Sequence, residues 1–272
     1  MVKSMIWITF IFSVVLVACK HKNIKPIRKE NCEMNGKTLS CENMTESSSF
    51  QLIEGNIVDY QEFPSVHILY NLQSKSFCTG TFVRPNLMIT AGHCIQNPTL
   101  PKTSFAILEP NFDAQTITSF SIKARSIDYQ MNHEYVRKAR SHGESSIHAF
   151  LLDVGFVVFP DNTSDSYREI NFKPISYGQI IELVGFGKYN RRKIIDLRKR
   201  TGTNAIAQEI YHKDVIEIEQ VIDYWKVDEE KGDTGVLSGD SGGPMLHEDK
   251  IVGIVSGYSY KKRSCVTGVL TI

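Results

Sequence analysis

The chain has 272 residues, enough for one large all-β domain or two ordinary ones, and 42% of them are hydrophobic. That content supports a full core and excludes wholesale disorder. A formal net charge of +1 argues against a dedicated nucleic-acid-binding protein, so we expect no nucleic-acid partner.

The first 18 residues have the pattern of a signal peptide. Lys3 gives a basic start, and residues 5–18 are apolar but too short for an ordinary membrane-spanning helix. Leu-Val-Ala-Cys at 16–19 resembles a bacterial lipobox, in which cleavage precedes a cysteine that receives lipid. The alternative is a plain secretory signal in which Cys19 is incidental. Both predict export, either as a cell-envelope lipoprotein on the periplasmic or outer-surface side or as a protein secreted after processing, and both permit disulfides.

Residues 19–51 are predicted to be a lipid-anchor tether or propeptide linker. Five Lys and Arg residues between 20 and 29 lie near anionic lipid headgroups or simply form a solvated tether. Thr-Glu-Ser-Ser-Ser at 45–49 is typical of a flexible linker. Cys32 and Cys41 could close a small loop within this segment.

Three motifs carry the residue types of nucleophilic catalysis. His93 lies in Thr-Ala-Gly-His-Cys at 90–94, and Asp153 enters the apolar run 150–159. Ser241 lies in Gly-Asp-Ser-Gly-Gly-Pro at 239–244, where glycines allow a tight turn and let a substrate carbonyl approach backbone N–H groups. A serine hydroxyl needs a base and a group that orients the base. Each motif alone is explained by a turn, a strand-end cap or a partly buried histidine, but the three in this order favour catalysis.

These motifs resemble the three signatures of the trypsin/chymotrypsin-like serine proteases, and the resemblance runs from about Leu52 to the end of the chain, which predicts a protease domain over 52–272. It implies an all-β fold of two packed six-stranded antiparallel β-barrels with the site between them. It also implies that Ser241 attacks a peptide carbonyl, that His93 moves the proton and that Asp153 holds the imidazole. The N–H groups of Gly239 and Ser241 would bind the oxyanion.

No cofactor is implied by the resemblance, and we expect no metal. His133, His142 and His148 could suggest a metal site, but their irregular spacing and the lack of a paired carboxylate motif favour surface histidines. Seven basic residues between 188 and 200 are interpreted as a solvated loop that borders the site.

The resemblance also implies activation by proteolysis. Leu-Ile-Glu-Gly at 52–55, followed by Glu-Phe-Pro at 62–64, resembles the family's mature start. There the freed N-terminal ammonium pairs with the Asp before the catalytic serine, which here is Asp240. Cleavage before Leu52 is a hypothesis, because Glu54 replaces a glycine and Gln51 is not the usual basic residue before the cut.

Cys78 and Cys94 are 16 residues apart, as in the family's disulfide that pins the histidine loop, and we expect that bond here. Leu237 replaces the usual partner of Cys265. Besides Cys19, an odd number of cysteines then remains: Cys32, Cys41 and Cys265. With a Cys32–Cys41 bond, cleavage before Leu52 would release the protease from its anchor. With a bond from Cys265 to either of them, the protease would stay tethered.

The residues of the specificity pocket depart from the tryptic pattern. Gly235 stands where trypsin-like members place Asp, so a cationic substrate side chain would be desolvated and unpaired there. Tyr258 follows Ser256 and Gly257 in place of the family's Ser-Trp-Gly wall. We therefore expect small or medium apolar P1 residues, or a pocket that is partly closed. The predicted pocket residues are Gly235, Val236, Ser256, Tyr258 and Gly268.

The chain stops inside what resembles the family's final strand, so the closing C-terminal helix is expected to be missing, by truncation or in a shortened variant. We predict a monomeric, exported serine endopeptidase made as a zymogen, which acts on proteins or peptides and is held at a bacterial membrane by a lipidated N-terminus. One alternative is a non-catalytic homologue that acts as a cell-envelope binding protein. Another is an esterase with the same chemistry and different pocket access.

Overall fold

The computed structural model describes the following residues: 32–41, 55–97, 99–113, 116–142, 152–173, 178–187, 197–205, 208–210, 224–226, 236 and 238–256. The predicted signal peptide and Cys19 lie outside them. In these stretches, no helix is both long and apolar enough to span a bilayer.

Strands dominate the described residues. In chain order, the first ten are β1 (Cys32–Asn35), β2 (Thr38–Cys41), β3 (Asn56–Ile57), β4 (Val66–Asn71), β5 (Ser76–Arg84), β6 (Leu87–Thr90), β7 (Phe105–Asp113), β8 (Thr116–Arg125), β9 (Asp128–Met131) and β10 (Gly155–Val158). The others are β11 (Ile180–Gly185), β12 (Arg200–Ala205), β13 (Gln208–Ile210), β14 (Tyr224–Lys226), β15 (Pro244–His247) and β16 (Lys250–Ile254). One α-helix, α1 (His133–His142), and a 3₁₀ turn at Gly92–Cys94 complete the described elements. The predicted all-β class is confirmed.

The strands form two main antiparallel sheets. The first has nine strands in the order β1-β2-β8-β7-β4-β5-β6-β10-β9, the second has five in the order β16-β15-β11-β12-β3, and β13 pairs with β14 alone. The hairpin β1–β2, which belongs to the predicted tether, adds two strands to the first sheet, and these strand counts hold for the described residues alone. Residues 257–272, which include the predicted final strand and the end of the chain, lie outside the described part.

The hydrophobic core explains how the two sheets meet. Strand β4 lies inside the first sheet, paired with β5 and β7, and all its residues except the partly exposed His67 are buried. Val66 and Ile68 of β4 share one cluster with Val184 and Phe186, which belong to or follow β11 of the second sheet. Because this cluster contains side chains from both sheets, the sheets pack on each other, and the turns beside their contact are brought close together.

Candidate active site

The turn that carries His93 is fastened to its neighbouring strand. It follows β6, and the disulfide between Cys78 of β5 and Cys94 ties it down, with the two Cα atoms 6.2 Å apart. The Thr90 hydroxyl donates to the carbonyl oxygen of Thr79, 2.8 Å away. The predicted disulfide is confirmed, and the histidine turn is anchored both before and after His93.

Asp153 lies beside this turn and accepts two hydrogen bonds from His93. Its Oδ2 is 2.6 Å from the ring Nδ1, and its Oδ1 is 2.7 Å from the backbone nitrogen of His93. The carboxylate is 2% exposed, whereas the His93 side chain is 30% exposed. The buried acid therefore holds the ring by one edge, and Nε2 is the ring nitrogen not used in this bond.

A third donor to the same carboxylate was not recognised as such from the sequence. The Ser256 hydroxyl is buried and donates to Asp153 Oδ2 over 2.5 Å. Sequence reasoning placed Ser256 in the specificity pocket only. A small hydroxyl residue two positions after the end of β16 is the one signal available, and nothing local in the sequence relates it to Asp153, 103 positions earlier.

Helix α1 lies next to the turn that carries His93. Asn132 caps its start, since the Asn132 Oδ1 accepts the N–H of Glu134 at 2.9 Å. Tyr135 is 2% exposed. A Cβ added to Gly92 would lie 3.3 Å from the Tyr135 ring and 3.1 Å from Asp153 Oδ1, so the aromatic ring and the acid pack together around this glycine. The buried Tyr135 ring and the Asp153 carboxylate therefore both lie against the glycine that precedes His93.

The turn that carries Ser241 is built on glycines with positive φ. Gly239 has φ +107° and Gly242 has φ +82°, which are backbone angles that favour glycine. The N–H of Gly243 donates to the carbonyl of Asp240 at 2.8 Å, and the N–H of Gly242 donates to Val255 at 2.6 Å. These bonds fix the turn against the end of β16.

Thr79 joins the serine turn to the strand next to the histidine turn. Its N–H donates to the Ser241 carbonyl oxygen at 2.8 Å, and its hydroxyl donates to the Gly239 carbonyl oxygen at 2.9 Å. The Cys94 Sγ lies 3.8 Å from the same Ser241 oxygen. The predicted nucleophile, base and acid are therefore carried by turns that contact one another.

Asp240, predicted to receive a freed N-terminus, is 1% exposed. Its Oδ1 accepts the N–H of Gly187 at 2.7 Å, and its carboxylate lies so close to Gly185 and Gly187 that a Cβ at either position would collide with it. Leu52 lies outside the described residues, so cleavage there stays a prediction.

Lys199 is a buried cation that sequence reasoning missed. The run of basic residues predicts a solvated loop, but Lys199 and Arg200 are each 1% exposed, so that prediction is wrong for these two residues. Nζ of Lys199 donates to the carbonyl oxygens of Tyr60, Glu62 and Phe63 at 2.8, 2.8 and 3.0 Å. Its ammonium lies 5.6 Å from the Tyr60 ring centroid and 5.7 Å from that of Phe186. Burial lowers its pKa to about 8.

The other predicted site residues are placed as follows. Val236 is 1% exposed and packs with the core of the second sheet, including Leu183 and Met245. His133 is exposed on α1. Among the described residues the potential metal ligands that cluster are Cys78, His93 and Cys94, and the disulfide occupies both sulfur atoms. Several predicted residues lie outside the described part: Gly235, Leu237, Tyr258, Cys265, Gly268 and His148.

Comparison with known proteins identifies the chain's relatives. A family model described as trypsin matches residues 52–271. Trypsin 5G1 of Aedes aegypti is 22% identical over 222 residues, which cover 78% of this chain and 77% of that protein.

Two solved structures show the same fold. The inactivated protease paralogue S-D1 of the scabies mite has a TM-score of 0.56 at 15% identity, covering 79% of this chain and 90% of that one. A Glu endopeptidase has a TM-score of 0.55 at 18% identity, covering 80% and 90%. The trypsin-like fold is thereby confirmed, and the name of the mite protein shows that this fold also occurs in an inactivated protease.

Proposed function

Because the chain belongs to the trypsin family of serine proteases, matching it from residue 52 to 271, we propose that it is a serine endopeptidase that uses Ser241, His93 and Asp153. The observation that carries this proposal is the buried Asp153 carboxylate, bonded to both the ring and the backbone of His93 at 2.6 and 2.7 Å. A buried aspartate that only stabilised the fold would not require its partner to be a partly exposed imidazole on a disulfide-anchored turn.

The Asp153–His93 bond sets the direction of proton transfer. A neutral imidazole has one N–H and one lone pair, so Nδ1–H donates to the carboxylate and Nε2 carries the lone pair. Nε2 takes the proton from the Ser241 hydroxyl as its oxygen attacks the peptide carbonyl, and Asp153 stabilises the resulting imidazolium. The same proton then passes to the leaving amine, and water repeats the sequence to release the acyl group.

The serine turn supports stabilisation of the oxyanion by the N–H groups of Gly239 and Ser241. The carbonyl of Asp240 is held by the N–H of Gly243. Since the C=O and N–H of a trans peptide point in opposite directions, this bond also fixes the direction of the Ser241 N–H. A donor held in place before the reaction costs no reorganisation when the negative charge develops.

Several finer features of the proposal rest on particular residues. Gly235 in the tryptic Asp position favours a non-tryptic P1 preference, because a cationic side chain would be buried without a partner. Residues 1–19 support export as a cell-envelope lipoprotein or a secreted protein. Asp240, buried beside Gly187, supports activation by a new N-terminus at Leu52. We further propose a monomer that acts on protein or peptide substrates.

The test is labelling of the exported protein with a fluorophosphonate probe, before and after limited proteolysis. Ser241→Ala should abolish labelling, and Ser74→Ala, which changes an exposed serine on the β4–β5 turn, should leave it intact. Labelling that appears only after cleavage supports a zymogen, and N-terminal sequencing should then find Leu52. Labelling without cleavage would remove the activation step but keep the enzyme. Absence of Ser241-dependent labelling under every condition would favour the non-catalytic binding protein.

A further inference from the structure

The N-terminal hairpin belongs to the first sheet. Strands β1 and β2 are joined by a tight turn at Gly36, whose φ is +63°, and β2 pairs with β8 through Thr38 with Ser121 and Leu39 with Phe120. The carbonyl of Lys37 also accepts the N–H of Ile122 at 2.8 Å. The hairpin thus lies in the segment predicted as tether or propeptide, yet it is hydrogen-bonded into the sheet.

The hairpin also contributes to the core. Leu39 is 0% exposed and packs in the cluster that contains Phe120, Ile117 and Leu108, which are 0%, 5% and 1% exposed. Met34 of β1 packs against the same cluster. This cluster is the one that includes side chains of both sheets, so Leu39 belongs to the shared core of the molecule.

Removal of the hairpin would leave β8 as an unpaired edge next to apolar side chains. The backbone groups that bond to β2 would face water, and so would the surface of Phe120 that Leu39 covers. Exposed apolar edge strands are templates for pairing with another chain, and proteins normally cover them. Residues 32–41 of this same chain are the cover.

We propose that the hairpin is a permanent part of the protease that stays docked on β8 after the chain is cut between the hairpin and the catalytic domain. Whatever is attached to its N-terminus, including lipid on Cys19, then stays with the enzyme through strand pairing and the buried leucine. The consequence for activation rests on the proposed function, but the docking itself does not.

Under this proposal, retention of the hairpin after cleavage does not depend on how the cysteines pair. Cys32 and Cys41 are direct register partners at the open end of the hairpin. A bond between them would close the hairpin on itself and leave no covalent link to the domain after cleavage. The cysteine pattern by itself predicts release of the hairpin in that case, whereas its pairing with β8 and the burial of Leu39 predict retention without any bond to Cys265.

The experiment cuts the full chain at one introduced position. A recognition site for a sequence-specific protease is inserted between Ser48 and Ser49, a tag is added before the hairpin, and Ser241→Ala prevents self-cleavage. After complete cutting, size-exclusion chromatography under non-reducing conditions separates bound from free fragment. We expect the tagged fragment to elute with the domain. Elution of the fragment by itself would overturn the proposal.

Two further variants identify what holds the fragment. Leu39→Ala should weaken its retention by about 30-fold or more, as expected for the loss of a buried leucine, whereas Ser40→Ala, an exposed neighbour on the same strand, should not. Equal retention in Leu39→Ala and the parent would contradict docking through the core. Cys265→Ser should leave retention unchanged, and release in this variant would show that a disulfide, not the sheet, holds the hairpin. Because the chain lacks Ser241, none of these outcomes depends on whether the protein is an active enzyme.

Discussion

Replacing His67 with glutamine should reduce the loss of stability that the protein suffers on acidification. The ring lies edge-on to Phe82, with centroids 5.5 Å apart, and its Nε2 is buried without a hydrogen-bond partner among the described residues. Burial first, and then the charges of Lys199 and Lys123, lower the pKa of His67 to about 3, against 6.5 for an ordinary histidine. The ring is therefore neutral in the folded protein.

The direction of the pH effect follows from these two values. Between about pH 6.5 and 3 the unfolded chain binds a proton at His67 that the folded protein does not bind. The free energy of unfolding is therefore unaffected by this proton above about pH 6.5 and decreases as the pH falls below it. A pH of about 5 is about 1.5 units below the pKa of His67 in the unfolded chain, and protonation there lowers the free energy of unfolding by about 2 kcal/mol. The His67 ring is hydrogen-bonded to the backbone carbonyl of Pro64. Glutamine also has an N–H donor for that carbonyl, but it cannot ionise.

The measurement is urea unfolding, followed by fluorescence, of Ser241→Ala with and without His67→Gln, at about pH 8, 6 and 5. The stability difference between the two proteins should shift by about 2 kcal/mol in favour of His67→Gln between about pH 8 and pH 5. His133→Gln is the matched control, because His133 is exposed on α1. Parallel pH profiles for the parent and His67→Gln, or an NMR titration of His67 centred near about pH 6.5, would refute the reasoning.

Three other perturbations test the site. Ser256→Ala removes a hydrogen bond to the Asp153 carboxylate and should lower kcat roughly 10-fold or more with little change in KM, since bonds to charged groups are worth about 1.5–3 kcal/mol; steady-state kinetics with unchanged kcat would contradict a role for this hydroxyl. Gly187→Ala, made in the chain that keeps Ser241, places a methyl group against Asp240 and should slow fluorophosphonate labelling and lower Tm. A variant that is labelled as fast as the unsubstituted protein would show that the serine turn tolerates displacement of Asp240. Burial lowers the pKa of Lys199 to about 8, so its ammonium costs stability below about pH 8 and this cost fades toward about pH 10.5. The parent should therefore gain about 2 kcal/mol relative to Lys199→Met between about pH 7 and pH 10, and denaturation profiles that run parallel would argue against a depressed pKa.

The sequence predicted the parts of the site that depend on short motifs. The glycines around Ser241 indicate a tight turn, and the separation of Cys78 and Cys94 by 16 positions indicates a disulfide. Both features can be read from the sequence without a structure. The trypsin-like fold followed from the same motifs, because their order along the chain is specific. The disulfide and the fold are confirmed, while the roles of the three catalytic candidates stay a proposal.

The features that the sequence did not predict depend on contacts between distant segments. The strands β1 and β2 contain few apolar residues, and only their pairing with β8, some 80 positions later, makes Leu39 a core residue. Lys199 stands in a run of basic residues that has the composition of a solvated loop. Its burial depends on three carbonyl oxygens from the turn at 60–63. No local pattern reports partners of this kind.

Thr79 explains how these separate segments become one site. It is 0% exposed, and its hydroxyl donates to the Gly239 carbonyl while accepting the N–H of Phe186 at 3.2 Å. Its N–H holds the Ser241 carbonyl, and its own carbonyl accepts the Thr90 hydroxyl beside the histidine turn. One buried residue in the first sheet therefore bonds to the serine turn, to the loop that holds Asp240 and to the strand that leads to His93. Since each bond replaces water at a buried polar group, a shift of one turn would leave partners unsatisfied in the others. The relative positions of Ser241 and His93, the proposed nucleophile and base, are therefore set by the packing of the two sheets and not by either turn alone.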